Sequence, residues 1–458
     1  MSRVFLLSAN VTTEPYPVYP LGMAVIAGAL DQAGHQLRQF DFLAAGKSKA
    51  ALRQALAEFA PEFVCLSLRN IDNVDSFGGE DDWYLAQARK LVQVVREATA
   101  ATLIVGGPAF SIMPEAILDY LGADHGVVGE GERVLVQLLA DLKAGRPAAR
   151  LTSEAGAGLA GEEMAAPLLV PELVEFYRQQ TGMVNLQSKR GCPFSCSYCT
   201  YPGLEGKRFR CRPAPAVVDD IKRLQAEHGI ESLFFTDSIF NDPAGHYLAV
   251  AEEMIRRGVQ LRWSAFFRPQ GLGRSELALL KKAGLYALEL GTDAASDATL
   301  AGLAKGFNFA EVEAVNRACV DEQLPCAHFV IFGGPGETEA TVQEGLANLA
   351  RLQHTVVFAF SGIRLLSKSP LHAQAIREGL VSADQSLLQP VYYYSPNVDR
   401  DVMNATIEES FRGRRDRIFP PSEGQKRMAV MHNFGYRGLL WDKLISFGRS
   451  RRRHGAGN

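Results

Sequence analysis

Three of the seven cysteines fall inside the stretch "RGCPFSCSYCTYP" (190–202), at Cys192, Cys196 and Cys199. Soft thiolates spaced C-x3-C-x2-C can converge on one metal centre when small, turn-forming residues, here Gly191, Pro193 and Ser195, fold the backbone around a common point. A structural zinc site takes four closed ligands, and Cys211, further along the chain, is the residue available to complete one. A four-iron, four-sulfur cluster on three thiolates instead keeps one iron open, where an amino acid's amine and carboxylate can chelate. Spacing alone leaves both readings standing.

The elements that must position these thiols belong to a βα series. "MVNLQS", "SLFFTDS", "LRWSAFF", "YALELG", "CAHFVIFG" and "VVFAFSGIRLL" read as strands, with helices around 215–227, 243–257, 274–283, 296–304, 310–322 and 337–351. The cysteines follow the first of these strands, at the rim where a parallel barrel gathers its chemistry. Six units, over 181–375, suit a partial or open barrel. Residues 1–145 form an earlier βα series that implies a parallel sheet with helices on both faces. In such a sheet, ligands sit at the carboxyl ends of strands. "LRNIDN" (68–73), "GGP" (106–108) and "GEGE" (129–132) all fall there, and glycine serves close ligand approach and tight turns equally well. Residues 146–180, rich in Ala, Gly and Pro, read as a linker. The 376–458 region is less regular and is expected over or beside the barrel rim.

The 458 residues allow about two to four domains, and a 47% apolar, 22% charged composition is that of a globular chain. No run is long and uncharged enough for a membrane span. The opening "MSRVFLLSANVTTEPYP" lacks an export signal, and sparse, odd-numbered cysteines fit reduced thiols, so a cytoplasmic location is expected. A net charge of −3 gives no general attraction to nucleic acid. Arg412, Arg414, Arg415 and Arg417, then Arg449, Arg451, Arg452 and Arg453, make the C-terminal region basic, either as a solvated tail or as a docking patch.

The C-x3-C-x-aromatic-C motif, with Tyr198 as the aromatic, on such a loop resembles the radical S-adenosylmethionine superfamily. The resemblance implies that Cys192, Cys196 and Cys199 ligate a [4Fe-4S] cluster and that Tyr198 lies near the adenine. "FFTDSIFN" (234–241) looks like the second-strand element, with Asp237 receiving amino or ribose groups of the nucleotide. Arg268 in "FFRPQ" is similar to a third-strand arginine of the family. "LELGTDAASDATL" resembles the fourth-strand signature with Glu289, Gly291 and Asp293, where many relatives carry Glu at the Asp293 position. "FVIFGGPGET" (329–338) looks like the fifth-strand motif, Gly333 and Gly334 flanking the adenine. Each has a plainer alternative: a turn cap for Asp237, an ion pair for Arg268, buried backbone donors for Glu289.

The first domain resembles that of the cobalamin-binding subgroup: "PYPVYPLGMAVIAGALDQAGHQLRQFD", "GGPAFSIMPEAILDY" and "GVVGEGE" match its elements. The implied fold is α/β, a doubly wound Rossmann-like cobalamin-binding domain followed by a partial (β/α)6 barrel and a C-terminal extension. Asn10, Asn70, Gly106, Gly107, Gly129, Glu130 and Gly131 are the implied corrinoid contacts. The D-x-H-x2-G signature is absent, and His35 and His125, the only histidines before residue 200, read as structural. The resemblance implies reductive cleavage of S-adenosylmethionine, hydrogen abstraction from an unactivated carbon, and methylation of a small-molecule or lipid-like intermediate. An external reductant such as flavodoxin or ferredoxin would supply the electron. Cyclisation, rearrangement or oxidation is the alternative within the family. A zinc-stabilised binding module and a cluster enzyme acting on RNA or protein are rivals from other classes. Aromatic residues in "VYYYSP" (391–396) and "HNFGYRGLLW" (432–441) either line an apolar pocket or fill a C-terminal core.

Overall fold

Strand β1 (Arg3–Ser8) is buried from Val4 onward on both faces, as a central parallel strand covered by helices on each side must be. The computed structural model describes residues 1–13, 16–154 and 158–445. The other strands of the first sheet are β2 (Gln36–Asp41), β3 (Phe63–Ser67), β4 (Thr102–Gly106), β5 (His125–Val128) and β6 (Leu151–Ser153). They pair in the order β2-β1-β3-β4-β5-β6, all parallel. The order reverses between β1 and β3, and the crevice at their carboxyl ends is where such a sheet binds a ligand. The flanking helices are amphipathic: Tyr84–Ala98 buries Leu85, Ala88, Leu91, Val92 and Val95, spaced three and four apart.

The expected linker does more than connect. Within 146–180, β6 extends the first sheet, and the Pro171–Thr181 helix buries Val174, Tyr177 and Thr181. Three strand residues amid Ala, Gly and Pro carry too short a pattern to be seen beforehand.

The second sheet comprises β7 (Val184–Leu186), β10 (Ser232–Phe235), β11 (Arg262–Phe267), β12 (Leu288–Asp293), β13 (Cys326–Phe332), β14 (Thr355–Ser361) and β17 (Arg417–Ile418). Its order is β17-β14-β13-β12-β11-β10-β7. Two hairpins stand apart from it, β8 (Lys189–Arg190) with β9 (Arg210–Cys211) and β15 (Ile363–Arg364) with β16 (Tyr392–Tyr393), both antiparallel. The six expected strands are present, and β17, contributed by the region after 376, is a seventh. Two residues of edge strand leave no periodicity to read.

One face of this sheet packs Leu233, Phe235, Trp263, Phe267, Leu288 and Val330 under the helices. The opposite face lines the barrel interior with Phe234, Ala287, Ala327, Phe329, Val356, Phe358 and Phe360. Leu439, Leu440 and Trp441 of the C-terminal region fill part of that interior. None of the helices among the described residues is long and apolar enough to cross a membrane.

Candidate functional site

The cysteine loop leaves the β8 strand and returns through β9, so the hairpin clamps both ends. Cys192 N donates to Gly206 O (3.0 Å), Ser197 N to Leu303 O (3.0 Å) and Leu371 N to Ser197 O (2.8 Å). Gly191 has φ +92°, and a Cβ there would lie 2.0 Å from Arg208 O, so only glycine fits. Cys192, Cys196 and Cys199 are free thiols close enough to influence one another's charge. Burial pushes Cys192 up and Cys199 up to about 12. Cys211 lies elsewhere: it pairs with Lys189 in the hairpin and faces Asp242 and Asp237. It therefore does not complete a four-thiol set, and among the described residues no three of His, Cys, Asp and Glu converge tightly enough for a single ion.

Around this loop the barrel rim supplies charge. Tyr198 Oη donates to Asp293 Oδ2 (2.7 Å), and the same oxygen takes the Lys305 ammonium. Burial pulls Lys305 down, but Asp293 and Cys196 outweigh it and its pKa is raised. Arg268 stacks its guanidinium 3.7 Å over the Phe194 ring of the cysteine loop. Its Nε donates to Gln270 (2.8 Å) and its Nη2 to Lys305 O, while the buried Nη1 has no protein partner. A Cβ at Gly291 would lie 3.7 Å from Phe267 O and 3.9 Å from the Asp293 carboxylate, and Gly333 packs under Tyr394.

Asp237 makes its contacts inside the protein, in keeping with the plainer of its two readings. It is buried, and its oxygens accept from Ser188 N (2.7 Å) and Ser188 Oγ (2.5 Å), with the fully buried Lys189 ammonium 3.4 Å away. Lys189 also lies 3.5 Å from Asp242 and donates to Phe240 O (2.6 Å). Asp237 thus holds the start of the hairpin, and every oxygen has a partner inside the protein.

Glu289 points into the barrel interior, in register with Phe266 on β11 and Ala327 on β13. It accepts from Trp441 Nε1 (3.0 Å), and burial pushes its carboxyl up to about 7 against that hydrogen bond. Tyr16, from the proline-rich loop of the first domain, packs into the same cluster and feels the Glu289 charge. Phe266 is 41% exposed although it belongs to the interior face, so the barrel retains open room beside it.

The first sheet's crevice is a small cavity bounded by Ala9–Thr12, Leu68, Arg69, Asn70 and Tyr84. Asn10 is oriented there by donating to Val18 O (3.2 Å) and Tyr177 Oη (3.3 Å). Arg69 is exposed, Tyr16, Tyr177, Tyr201 and Tyr84 lie near enough to act on its charge, and no carboxylate among the described residues pairs with it. Tyr201 directly follows the cysteine loop, so the carboxyl edges of the two sheets face each other across this cleft. Gly106 and Gly107 bring the β4 loop onto Leu68: Gly107 has φ +101°, and a Cβ would stand 2.4 Å from Leu68 O. Gly129 N donates to Ser111 Oγ (2.9 Å). Glu130, between Gly129 and Gly131, has its carboxylate paired with Arg210 and Arg190. His35 and His125 begin the approach to β2 and β5, at the sheet's amino edge, away from the cleft.

Sequence reasoning missed Arg69, Lys305 and Tyr16, whereas Trp441 belongs to the 432–441 aromatic stretch it singled out and takes the core-filling role. "LRNIDN" pointed to the right loop, but only the fold shows that Arg69 is its unpaired cation. In the C-terminal region, Arg417 is buried and donates to the carbonyls of Leu349, Leu352 and Thr355, while Arg412 and Arg414 pair with Glu409 and Asp416. Arg449, Arg451, Arg452 and Arg453 lie outside the described residues.

The sequence matches the B12 binding domain over residues 7–139 and the radical SAM superfamily over residues 186–347. The chain belongs to the cobalamin-binding radical S-adenosylmethionine enzymes, whose cofactors are a [4Fe-4S] cluster, S-adenosylmethionine and cobalamin. Among its relatives, the tryptophan 2-C-methyltransferase of Streptomyces laurentii is 26% identical over 428 residues, covering 76% of this chain and 71% of the relative. The anaerobic magnesium-protoporphyrin IX monomethyl ester cyclase of Cereibacter sphaeroides is 27% identical over 350 residues, covering 71% and 55%. The fold matches that of the methyltransferase TsrM from Kitasatospora setae, solved with cobalamin and a [4Fe-4S] cluster bound, at a TM-score of 0.84, 23% identity and 97% coverage of each chain.

Proposed function

We propose that this protein methylates a small, flat, largely apolar molecule held in the barrel interior. The observation that carries the reading is that interior: Phe234, Phe266, Phe329, Phe358 and Phe360 share its face with the buried carboxyl of Glu289. Aromatic walls suit a planar ring system, and a carboxyl titrating near neutrality accepts a hydrogen bond from a ring N–H or O–H. The methyltransferases among the relatives support the same reading, one of them with tryptophan as its substrate in a solved structure.

Three thiols on one clamped loop, with Cys211 held away in the hairpin, fit a cluster with an open corner. Cys192, Cys196 and Cys199 are its ligands in this proposal. When bound, the cluster would supply an electron to S-adenosylmethionine and the corrinoid would carry the methyl group. The chain's own residues orient and exclude. The orphaned Arg268 Nη1 and the Lys305 ammonium offer cationic partners for a carboxylate beside the cysteine loop. Arg69, Asn10 and Asn70 line the corrinoid side of the cleft. Leu439, Leu440 and Trp441 keep water from the inner end of the barrel. An external one-electron reductant, such as flavodoxin or ferredoxin, completes the proposal.

Anaerobic reconstitution with iron, sulfide and cobalamin tests it. The expected protein carries about four irons and one corrinoid per chain, and turnover yields S-adenosylhomocysteine together with a methylated product. Replacement of all three cysteines by alanine removes iron and sulfide while leaving corrinoid bound. Deoxyadenosine formed with no methylated product would reassign the enzyme to rearrangement or oxidation.

A further inference from the structure

The turn after β5 and the β8–β9 hairpin come from different domains and meet through four charges. Arg190 Nη2 lies 2.7 Å from Glu132 Oε1, and its Nη1 lies 3.6 Å from Glu130 Oε1. Arg210 grips Glu130 with both terminal nitrogens, Nη1 at 2.9 Å from Oε2 and Nη2 against Oε1. All four side chains are at most 12% exposed. Three of the four are also held from their own side of the contact. Arg190 Nε donates to Gln187 Oε1 (3.0 Å), Arg210 Nη2 to Glu205 O (2.7 Å), and Glu130 Oε2 accepts from Leu159 N (2.7 Å). Glu205 accepts in turn from Gly191 N (3.0 Å), next to Cys192.

Exposed ion pairs exchange partners freely and fix little. A buried set has one favourable register, since any slip strands a charge away from both water and its partner. Arg190 adjoins Gly191 and Cys192, and Glu130 lies between Gly129 and Gly131 at the edge of the cleft. We propose that the Glu130–Arg210 and Glu132–Arg190 pairs form a latch that fixes the distance and orientation between the cysteine loop and the first domain's cleft. Glu130 and Glu132 are then positioning residues, not cofactor contacts. Methyl transfer between two separately held cofactors and a substrate demands such registry, because misplacement by about 1 Å can cost on the order of a hundredfold in rate. The functional part of this inference rests on the cofactor reading given above.

Two arms test the latch. Amide hydrogen exchange on the full chain without added cofactor compares the wild type with Glu132→Gln and with Glu132→Gln/Arg190→Met, the second leaving neither charge stranded. Segments 129–132 and 189–192 are expected to exchange together about tenfold faster in both variants, with β1 and β3 unchanged. In reconstituted protein, pulsed EPR between the reduced cluster and cob(II)alamin is expected to give a narrow distance for wild type. Both variants broaden it at unchanged iron, sulfide and corrinoid content. Loosening of only one segment, or an unbroadened distance in the loaded variants, overturns the latch. A wild-type protein that retains no corrinoid defeats the cofactor reading instead, and the exchange arm still decides the latch.

Discussion

Glu289 sits among aromatic side chains with one indole N–H for company, and that setting determines how it responds to pH. Its carboxyl titrates at about 7 in the folded chain against an ordinary 4.5, so the fold favours the protonated form. A raised carboxyl pKa adds stability that is complete below 4.5 and lost as pH rises through 7. Glu289→Gln keeps the acceptor for Trp441 but cannot titrate. The stability of this variant relative to wild type should therefore climb between pH 5 and pH 8, by up to about 3 kcal/mol. Urea unfolding at several pH values reads the difference, and Glu337, also raised to about 7, cancels because both proteins contain it. A difference that stays flat across the range would place Glu289 in contact with water. The sequence made Glu289 visible through its strand motif. Its partner was hidden, since an indole so distant along the chain reaches it only through tertiary packing.

The hairpin around the cysteines shows how an element was missed while its cargo was found. Thiol spacing is a local signal, but β8 and β9 are two residues each, with no alternation to read, and they pair across the loop they enclose. Gly191 is the joint. Its left-handed φ and the nearby Arg208 carbonyl leave no room for a Cβ, so Gly191→Ala should cost about 1–3 kcal/mol from backbone strain alone and more as the hairpin shifts. Gly203→Ala, facing open space, serves as the control. The expected outcome is a lowered melting temperature and incomplete iron loading for the first substitution, with neither in the second. The βα units of both sheets were legible because their helices and longer strands carry strong periodicity. β6 and β17 were not, being edge strands of three and two residues.

Across the whole molecule, the barrel and the C-terminal region each tie themselves to the first domain. Arg364 Nε bonds Asp72 of the first domain at 2.8 Å, both side chains being almost fully buried, and Trp83 Nε1 donates to Leu388 O (2.8 Å). Arg364→Met would leave the Asp72 carboxylate buried without its counter-charge, a loss of about 3–5 kcal/mol. Arg364→Met/Asp72→Asn should recover much of it, and thermal unfolding of the two variants distinguishes a true pair from independent packing. These long-range ties explain why motif reading located both cofactor domains but not their mutual arrangement. Each motif is written in a short stretch, whereas Glu130 and Asp72, in loops that resemble ligand loops, are occupied by arginines far along the chain.

Strand β17 and Trp441 also set an order of assembly. The first sheet is complete once Ser153 has emerged from the ribosome, but the second lacks an edge and an interior filling until residues 417–441 follow. A nascent chain thus presents a finished first sheet beside a barrel still open at its side. The barrel around the cysteine loop therefore gains its seventh strand and its indole filling only after residues 417–441 have joined the chain.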